Sequence, residues 1–275
     1  LLSGNGMRVY FPMMYSAKKI FGRKVYHDAI GGNLASYVKR YPKYAKYLDS
    51  FDGNWVEFSK MKNQLESLGI HNCVVIPNFK RLDISKSKLT ITETGENSFC
   101  MFSRVTEEKG VTEAIEAVCE YNKQDKAQII LNIWGPVDEG YKEEFDALLK
   151  RAGNSVKYQG CVEYSDSVKV LTNHLALLFP THWDGEGFPG TIVDAYSAGV
   201  PVIASDWNAN AELIDNFQTG WVYPNEKLEG LYASLRWALE HKEEMLSMRI
   251  NCQKRAMDYT PEVCMKNVLK ELENN

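Results

Sequence analysis

Two acidic residues, Glu186 and Asp194, flank the predicted start of a short helix. Glu186 lies in a loop bracketed by glycines, Pro189-Gly190 opens the helix, and Gly199 follows its end, which is the usual placement of proline and glycine. A helix N-terminus presents unpaired N–H groups and the positive end of a dipole, and both favour an anion. Carboxylates beside a bound anion are useful if they accept hydrogen bonds from hydroxyl groups attached to it, such as those of a sugar or a ribose.

Two basic residues, Arg104 and Lys109, come directly after the predicted strand 98–103. The carboxyl ends of parallel strands are where α/β proteins bind their ligands. Arginine as a fork and lysine as a point charge suit a diphosphate. A solvated loop with Glu107 and Glu108 as ion-pair partners is the alternative, and the acidic helix start further along the chain favours ligand binding.

Three more predicted strand ends carry candidate residues. Gly135 and residues 160–163 follow two strands of the same predicted sheet, where simple tight turns explain them about equally well. His27 ends a predicted strand over residues 24–30 and precedes Gly31-Gly32. A lone histidine is more often structural, but at a strand end its neutral ring can exchange hydrogen bonds with hydroxyl groups.

Residues 183–212 resemble the E-x7-E region of the GT4 family of retaining glycosyltransferases, which have the GT-B fold. Glu186 and Asp194 stand eight positions apart, although the second acid is Asp rather than Glu and therefore one methylene shorter. The R-x4-K-G spacing of Arg104 and Lys109 also resembles the phosphate-binding pair of that family.

The resemblance implies transfer of a sugar from a nucleotide-diphosphate donor, expected to be a UDP-sugar, to a glycan or lipid-linked acceptor with retention, in the biosynthesis of surface polysaccharide. A hexosyltransferase is therefore expected. Glu186, which binds the donor sugar, and His27 are the expected catalytic residues, and Asp194 binds the ribose. The expected donor-binding residues are Arg104, Lys109, Gly135, Val162, Gly187, Phe188, Pro189, Gly190, Thr191 and Asp194.

Two other functions stay open: a GT-B sugar-nucleotide epimerase, which would need further acids, and a non-catalytic protein that binds nucleotide sugars. A G-x-G-x-x-G turn after a strand and a P-loop are both missing from the sequence, which weakens dehydrogenase and nucleotidase functions. The sequence also lacks a D-x-D pair and a histidine cluster at metal-ligand spacing. We therefore expect no metal and no other cofactor, with the nucleotide sugar as a substrate.

Composition is that of a globular protein, with 44% apolar and 25% charged residues. Six scattered cysteines indicate free thiols in a reducing cytoplasm. Residues 1–81 hold 13 basic and 5 acidic residues, a net charge of +8, whereas the remainder holds 19 and 31, a net charge of −12. This asymmetry suggests an anionic partner. With the family resemblance, it predicts peripheral contact with the inner face of an anionic membrane rather than with nucleic acid.

Strands alternate with helices along the whole chain, which predicts parallel sheets flanked by helices. For 275 residues two domains are expected. We predict two Rossmann-like domains of the GT-B type, over residues 1–81 and 82–260, with a polar linker near 80–95 and a terminal helix in 261–275 that crosses back to the first domain. The first domain is only about half of the ~150 residues of a common domain, so an N-terminal truncation is expected.

Overall fold

The computed structural model describes residues 4–81, 89–124, 128–224 and 227–274. The chain divides into two compact units. The first unit contains Leu1–Phe79, Asp184–Phe188 and Pro261–Asn275, and the second contains Lys80–Trp183 and Pro189–Thr260. Residues 82–88 of the predicted linker lie outside the described residues.

The described part of the first unit is built on a three-stranded parallel sheet in the order β1-β2-β3. Its strands are β1 (Tyr26–Ala29), β2 (Gly53–Val56) and β3 (Cys73–Val75). Its first helices are α1 (Gly4–Phe21), α2 (Leu34–Arg40), α3 (Ala45–Ser50) and α4 (Ser59–Glu66). The predicted alternation of strand and helix is confirmed here.

Helix α1 begins at Gly4, so that the Gly4-Asn5-Gly6 run is helical although glycine and asparagine favour turns. Phe11, on the same helix, is buried and packs edge-on against Tyr44 and Phe51. Each glycine in a helix interior costs about 1 kcal/mol. Burial of the Phe11 ring stabilises the helix by more than that.

The second unit contains a six-stranded parallel sheet in its described residues, in the order β6-β5-β4-β7-β8-β9. The strands are β4 (Ser98–Phe102), β5 (Ile130–Trp134), β6 (Val156–Gly160), β7 (Ala176–Phe179), β8 (Val202–Ser205) and β9 (Gly220–Tyr223). The helices are α5 (Val111–Gln124), α6 (Lys142–Ala152), α7 (Ser167–Leu171), α8 (Gly190–Ser197), α9 (Asn210–Leu213), α10 (Lys227–Glu240) and α11 (Lys242–Ala256).

The strand order of this sheet reverses between β4 and β7, because successive strands run outward from β4 in one direction and from β7 in the other. Strands β7 and β8 are buried along their whole length, as expected for strands covered on both faces. In doubly wound sheets, ligands bind in the crevice at such a reversal, beyond the carboxyl ends of the strands. Any residue directly after β4 or β7 is therefore a candidate for ligand binding.

Two segments that are distant in sequence group with the first unit. Helix α12 (Pro261–Asn274) is one of them, and residues 184–188 are the other. Residues 184–188 group with the first unit although they lie within 82–260, the range predicted for the second domain. The reason is local: their backbone is hydrogen-bonded to the turn after β1 and to the end of β2, as described below.

Candidate active site

Arg104 and Lys109 both lie against one aromatic ring at the switch point of the second unit. The Arg104 guanidinium carbon is 5.1 Å from the centroid of the Trp183 ring, and the Lys109 Nζ is 4.6 Å from it. Both distances are within the range of a cation–π interaction. Arg104 is exposed, whereas Lys109 is buried. The indole therefore holds the two predicted phosphate ligands together, with the guanidinium open to solvent.

Backbone contacts fix the loops that carry these residues. The His182 N–H donates to the Glu108 carbonyl at 2.9 Å, which ties the loop after β7 to the loop after β4. Gly110 has φ +74°, and a Cβ there would lie 2.3 Å from the Pro180 carbonyl oxygen. Only glycine allows this approach, because its backbone adopts positive φ without strain and it has no side chain to clash.

The N-terminus of α8 is anchored at the same edge of the sheet. The Thr191 hydroxyl donates to the carbonyl of Phe102, the last residue of β4, at 2.6 Å. Pro189 is the N-cap residue, and the helix begins at Gly190, as predicted. The positive end of the α8 dipole therefore lies next to the strand that precedes Arg104, which adds to the attraction for an anion.

Asp194, the expected ribose ligand, is 7% exposed and is paired with Lys80. The Lys80 Nζ lies 2.6 Å from the Asp194 Oδ2. Burial raises the pKa of Asp194, while Lys80 and a hydrogen bond with Ser167 oppose that shift. Lys80 also approaches the start of α8, since its Nζ lies 3.6 Å from the position of a Cβ built on Gly190. The shorter acid at position 194 is thus accompanied by a third cation.

The predicted turns after β5 and β6 are joined to each other. The Gly135 N–H donates to the Gly160 carbonyl at 2.9 Å, and the Tyr158 hydroxyl donates to the Gly135 carbonyl at 2.9 Å. Val162 is half-buried two residues after β6. These contacts form a rigid backbone surface at the carboxyl edge of the sheet, which suits recognition through main-chain groups.

Glu186 is buried in the first unit, in the five-residue segment Asp184–Phe188, hereafter the Glu186 loop. Glu57, the first residue after β2, holds this loop. Its Oε2 accepts hydrogen bonds from the Gly31 N–H at 2.8 Å and from the Phe188 N–H at 3.1 Å. Gly187 and Phe188, two of the expected donor-binding residues, therefore belong to this loop and not to α8.

His27 lies within β1 rather than at its end, which corrects the sequence-based placement. Its Nδ1 is 3.3 Å from the Asn54 Oδ1, and its ring packs edge-on against Phe11 at 5.0 Å. Burial lowers the pKa of His27, and the contact with Asn54 partly opposes that shift. The ring is therefore neutral near pH 7, and these contacts with core side chains match a structural role.

Three residues of these clusters were missed from the sequence: Lys80, Glu57 and Trp183. Glu57 follows a predicted strand directly, so its position at a carboxyl strand end was a usable signal. Trp183 stands at the start of the stretch that resembles the GT4 region, three residues before Glu186. Lys80 carried no local signal, because its partner Asp194 is 114 positions away.

Residues 4–81, 89–124, 128–224 and 227–274 contain no group of three or more His, Cys, Asp or Glu side chains placed to hold a metal ion. None of the helices in those ranges combines the length and apolarity needed to cross a bilayer.

The α/β fold, with parallel sheets flanked by helices, is that of GT-B glycosyltransferases, as predicted. The structure of Anabaena Alr3699/HepE in complex with UDP superposes with a TM-score of 0.81 at 16% identity, over 99% of this chain and 77% of that chain. The apo form of the lipopolysaccharide outer core galactosyltransferase WaaB superposes with a TM-score of 0.76 at 17% identity, over 97% of this chain and 73% of that chain.

Sequence comparison defines the family. Residues 83–255 match the family "Glycosyl transferases group 1", and the chain belongs to that family. The amylovoran biosynthesis glycosyltransferase AmsK of Erwinia amylovora is 30% identical over 145 residues, 48% of this chain and 33% of AmsK. The N,N'-diacetylbacillosaminyl-diphospho-undecaprenol alpha-1,3-N-acetylgalactosaminyltransferase of Campylobacter jejuni is 26% identical over 192 residues, 70% of this chain and 46% of that enzyme. The matches thus span less than half the length of either relative.

Proposed function

We propose that this chain is part of a glycosyltransferase that moves a sugar from a nucleotide-diphosphate donor to a glycan or lipid-linked acceptor, with retention at the anomeric carbon. Membership of the glycosyl transferases group 1 family supports the reaction class. Two relatives support the acceptor class by their names, since one acts in amylovoran biosynthesis and the other on a diphospho-undecaprenol-linked sugar. A UDP-sugar is the proposed donor, because the structurally similar HepE binds UDP-glucose.

The observation that carries this proposal is the cluster of Arg104, Lys109 and the Trp183 ring beside the N-terminus of α8. Two fixed cations and a helix dipole end are a preorganised site for a diphosphate. In the reaction, the leaving nucleotide diphosphate gains negative charge as the glycosidic bond breaks. Groups already aimed at that charge lower the barrier without reorganising. In this proposal no metal is needed for that task.

The remaining roles follow the residue types. Asp194 accepts hydrogen bonds from the ribose hydroxyls, and its ion pair with Lys80 opposes the rise in its pKa that burial causes. Glu186 binds the hydroxyls of the donor sugar. The observed contacts of His27, with Asn54 and Phe11, support a structural role for it rather than the expected catalytic one.

Calorimetric titration tests the proposal. UDP, UDP-sugars, GDP-mannose and ADP-glucose are titrated into the wild type and into a variant with both Arg104→Ala and Lys109→Ala. Each lost charge-assisted hydrogen bond is worth about 1.5–3 kcal/mol, so the double variant should bind at least about 100-fold more weakly. Arg151→Ala is the control, because Arg151 pairs with Glu116 on the surface.

Two results would contradict the proposal. Failure of all these nucleotides to bind the wild type would remove the transferase function. Undiminished binding by the double variant would remove the assignment of Arg104 and Lys109. Conversion of a UDP-sugar to its epimer without any acceptor would favour the epimerase alternative instead.

A further inference from the structure

Glu57 is a buried carboxylate that joins two segments far apart in sequence. It is 5% exposed and follows β2 directly. Gly31 follows the neighbouring parallel strand β1 by two residues, so both lie at the carboxyl edge of the first sheet. One oxygen, Oε2, accepts from the Gly31 N–H and from the Phe188 N–H at 2.8 and 3.1 Å. A single atom therefore connects the turn after β1 to the end of the Glu186 loop.

The two segments are also packed backbone against backbone. The Gly32 N–H donates to the Gly185 carbonyl at 3.3 Å. A Cβ on Gly32 would lie 2.2 Å from the Glu186 carbonyl oxygen. A Cβ on Gly187 would lie 2.5 Å from the Glu57 Oε2 and 2.6 Å from the Gly31 Cα. Gly32 and Gly187 are both needed for this close packing of the two backbones. The position of the Glu186 loop is therefore specified by the turn after β1 and by the loop itself.

Burial raises the pKa of Glu57, and the charge of Asp28 raises it further, while the N–H groups of Gly31 and Phe188 and a hydrogen bond with Asn78 lower it. A buried carboxylate is costly unless it is well hydrogen-bonded. Its two backbone bonds join the turn after β1 to the Glu186 loop.

We propose that Glu57 is a positioning residue for Glu186: it holds the Glu186 loop on the turn at Gly31-Gly32 and thereby sets where the Glu186 carboxylate lies. This inference rests on the proposed role of Glu186 in binding the donor sugar. Glu57 itself touches neither the sugar nor the nucleotide. It acts only through the backbone of the loop.

Amide hydrogen exchange tests the contact without any ligand. Glu57→Ala removes the acceptor of the Gly31 and Phe188 N–H groups, and exchange at these two amides should accelerate by about tenfold or more, the factor that corresponds to ~1.4 kcal/mol. Glu57→Gln keeps an acceptor oxygen of the same reach, so its exchange should stay close to that of the wild type. Gly187→Ala should resemble Glu57→Ala, because its Cβ wedges the same contact from the opposite side.

Affinity for UDP and for a UDP-sugar tests the consequence for Glu186. The Kd for UDP divided by the Kd for the UDP-sugar reports the contribution of the sugar to binding. The Kd for UDP alone reports the contribution of Arg104 and Lys109. In Glu57→Ala and Gly187→Ala this ratio should fall toward one, while the Kd for UDP changes less than about threefold. Glu57→Gln should preserve the ratio. Glu66→Ala, an acid on the surface of α4, is the control that should leave exchange and both affinities unchanged.

The outcomes separate this inference from the proposed function. Exchange unchanged in Glu57→Ala and in Gly187→Ala would overturn it. Faster exchange with an unchanged Kd ratio would also overturn it, because the loop would then be released without any effect on Glu186. If no nucleotide bound to the wild type, the proposed function would fail. The contact of Glu57 with the Glu186 loop would then still be tested by amide exchange in Glu57→Ala and Gly187→Ala. If Glu57→Ala does not fold, Gly187→Ala and Glu57→Gln still decide between these results.

Discussion

At the scale of single residues, Trp183 contributes a ring contact and a main-chain hydrogen bond to the proposed phosphate-binding cluster. Its ring attracts both Arg104 and Lys109, whose charges would otherwise repel each other in the absence of ligand. Its main-chain carbonyl accepts a hydrogen bond from the Trp207 Nε1 at 2.9 Å, which fixes the indole relative to the loop after β8. The side chain therefore holds the two cations of the proposed diphosphate site together.

Replacing Trp183 should weaken nucleotide binding without removing either cation. Each cation–π contact is worth about 0.5–2 kcal/mol. Trp183→Leu should therefore raise the Kd for UDP by about 5-fold to 50-fold, measured by calorimetry. Trp183→Phe keeps a ring face and should lie between the wild type and Trp183→Leu. Equal affinity of all three proteins would show that the ring does not organise the cluster.

Lys80 and Asp194 form a mostly buried ion pair, and removing one partner should be costly. Lys80→Met should lower the free energy of unfolding by about 1–3 kcal/mol at pH 7, because it takes the ammonium away from a buried carboxylate. Without Lys80 the pKa of Asp194 should rise further, so the deficit should shrink as the pH falls and the acid takes up a proton in the native state.

Denaturant unfolding at pH 7 and pH 5 measures this effect. Asp194→Asn in the Lys80→Met background is the matched variant, because it removes the remaining charge and should recover part of the loss. A double-mutant cycle then gives the coupling of the pair. A coupling near zero would mean that the 2.6 Å contact contributes nothing to stability.

At the scale of elements, tight turns determine where the strand ends meet. Gly135, directly after β5, has φ +136°, and a Cβ there would lie 1.8 Å from the Ser103 carbonyl oxygen. Ser103 itself directly precedes Arg104. The turn after β5 is therefore packed against the main chain that leads into the phosphate-binding loop.

Gly135→Ala should destabilise the second unit and displace Arg104 together. Positive φ and a backbone clash should together cost about 3 kcal/mol or more. Gly153→Ala is the matched control, since Gly153 also has positive φ, +57°, but has open space around its Cβ position. The control should cost less than Gly135→Ala, because it carries the strain of positive φ without a backbone clash. Thermal unfolding and the Kd for UDP check both effects, and equal losses in the two variants would contradict the clash.

The sequence predicted the elements well where strand and helix patterns were local. The alternation of strands with helices and the start of α8 at Gly190 both follow from short-range patterns. The helical conformation of Gly4-Asn5-Gly6 runs against the local preference of these residues. The pairing of Lys80 with Asp194 and of Glu57 with Phe188 depends on three-dimensional proximity across more than 100 positions, which periodicity does not encode.

At the scale of the whole molecule, one buried histidine makes stability depend on pH. His174 is buried, its Nδ1 is 2.8 Å from the Ser98 hydroxyl, and its ring packs edge-on against Trp134. Burial, helped by the nearby Arg249 charge and opposed by a backbone hydrogen bond, lowers the pKa of His174 to about 4. Unfolding exposes the ring and restores its ordinary pKa of 6.5.

The native state therefore binds fewer protons than the unfolded state between pH 6.5 and pH 4, and stability should fall as the pH falls through that window. The shift corresponds to a loss of ~3 kcal/mol. Denaturant unfolding across pH 4–7 should show a clearly smaller loss in His174→Gln than in the wild type, and part of the remaining slope should come from His27, whose pKa is also lowered by burial. His71→Gln, at an exposed position, should retain the wild-type slope. A matching slope in all three proteins would exclude His174 as its origin.

Because the Glu186 loop groups with the first unit, it restricts how chimeras with related proteins can be built. The chain passes between the two units at residues 79/80, 183/184, 188/189 and 260/261. A chimera that exchanges residues 80–260 as one block therefore imports a foreign Glu186 loop onto the native Glu57. Compatible exchange of the second unit must leave residues 184–188 with the host, or transfer Glu57 and Gly31-Gly32 together with them.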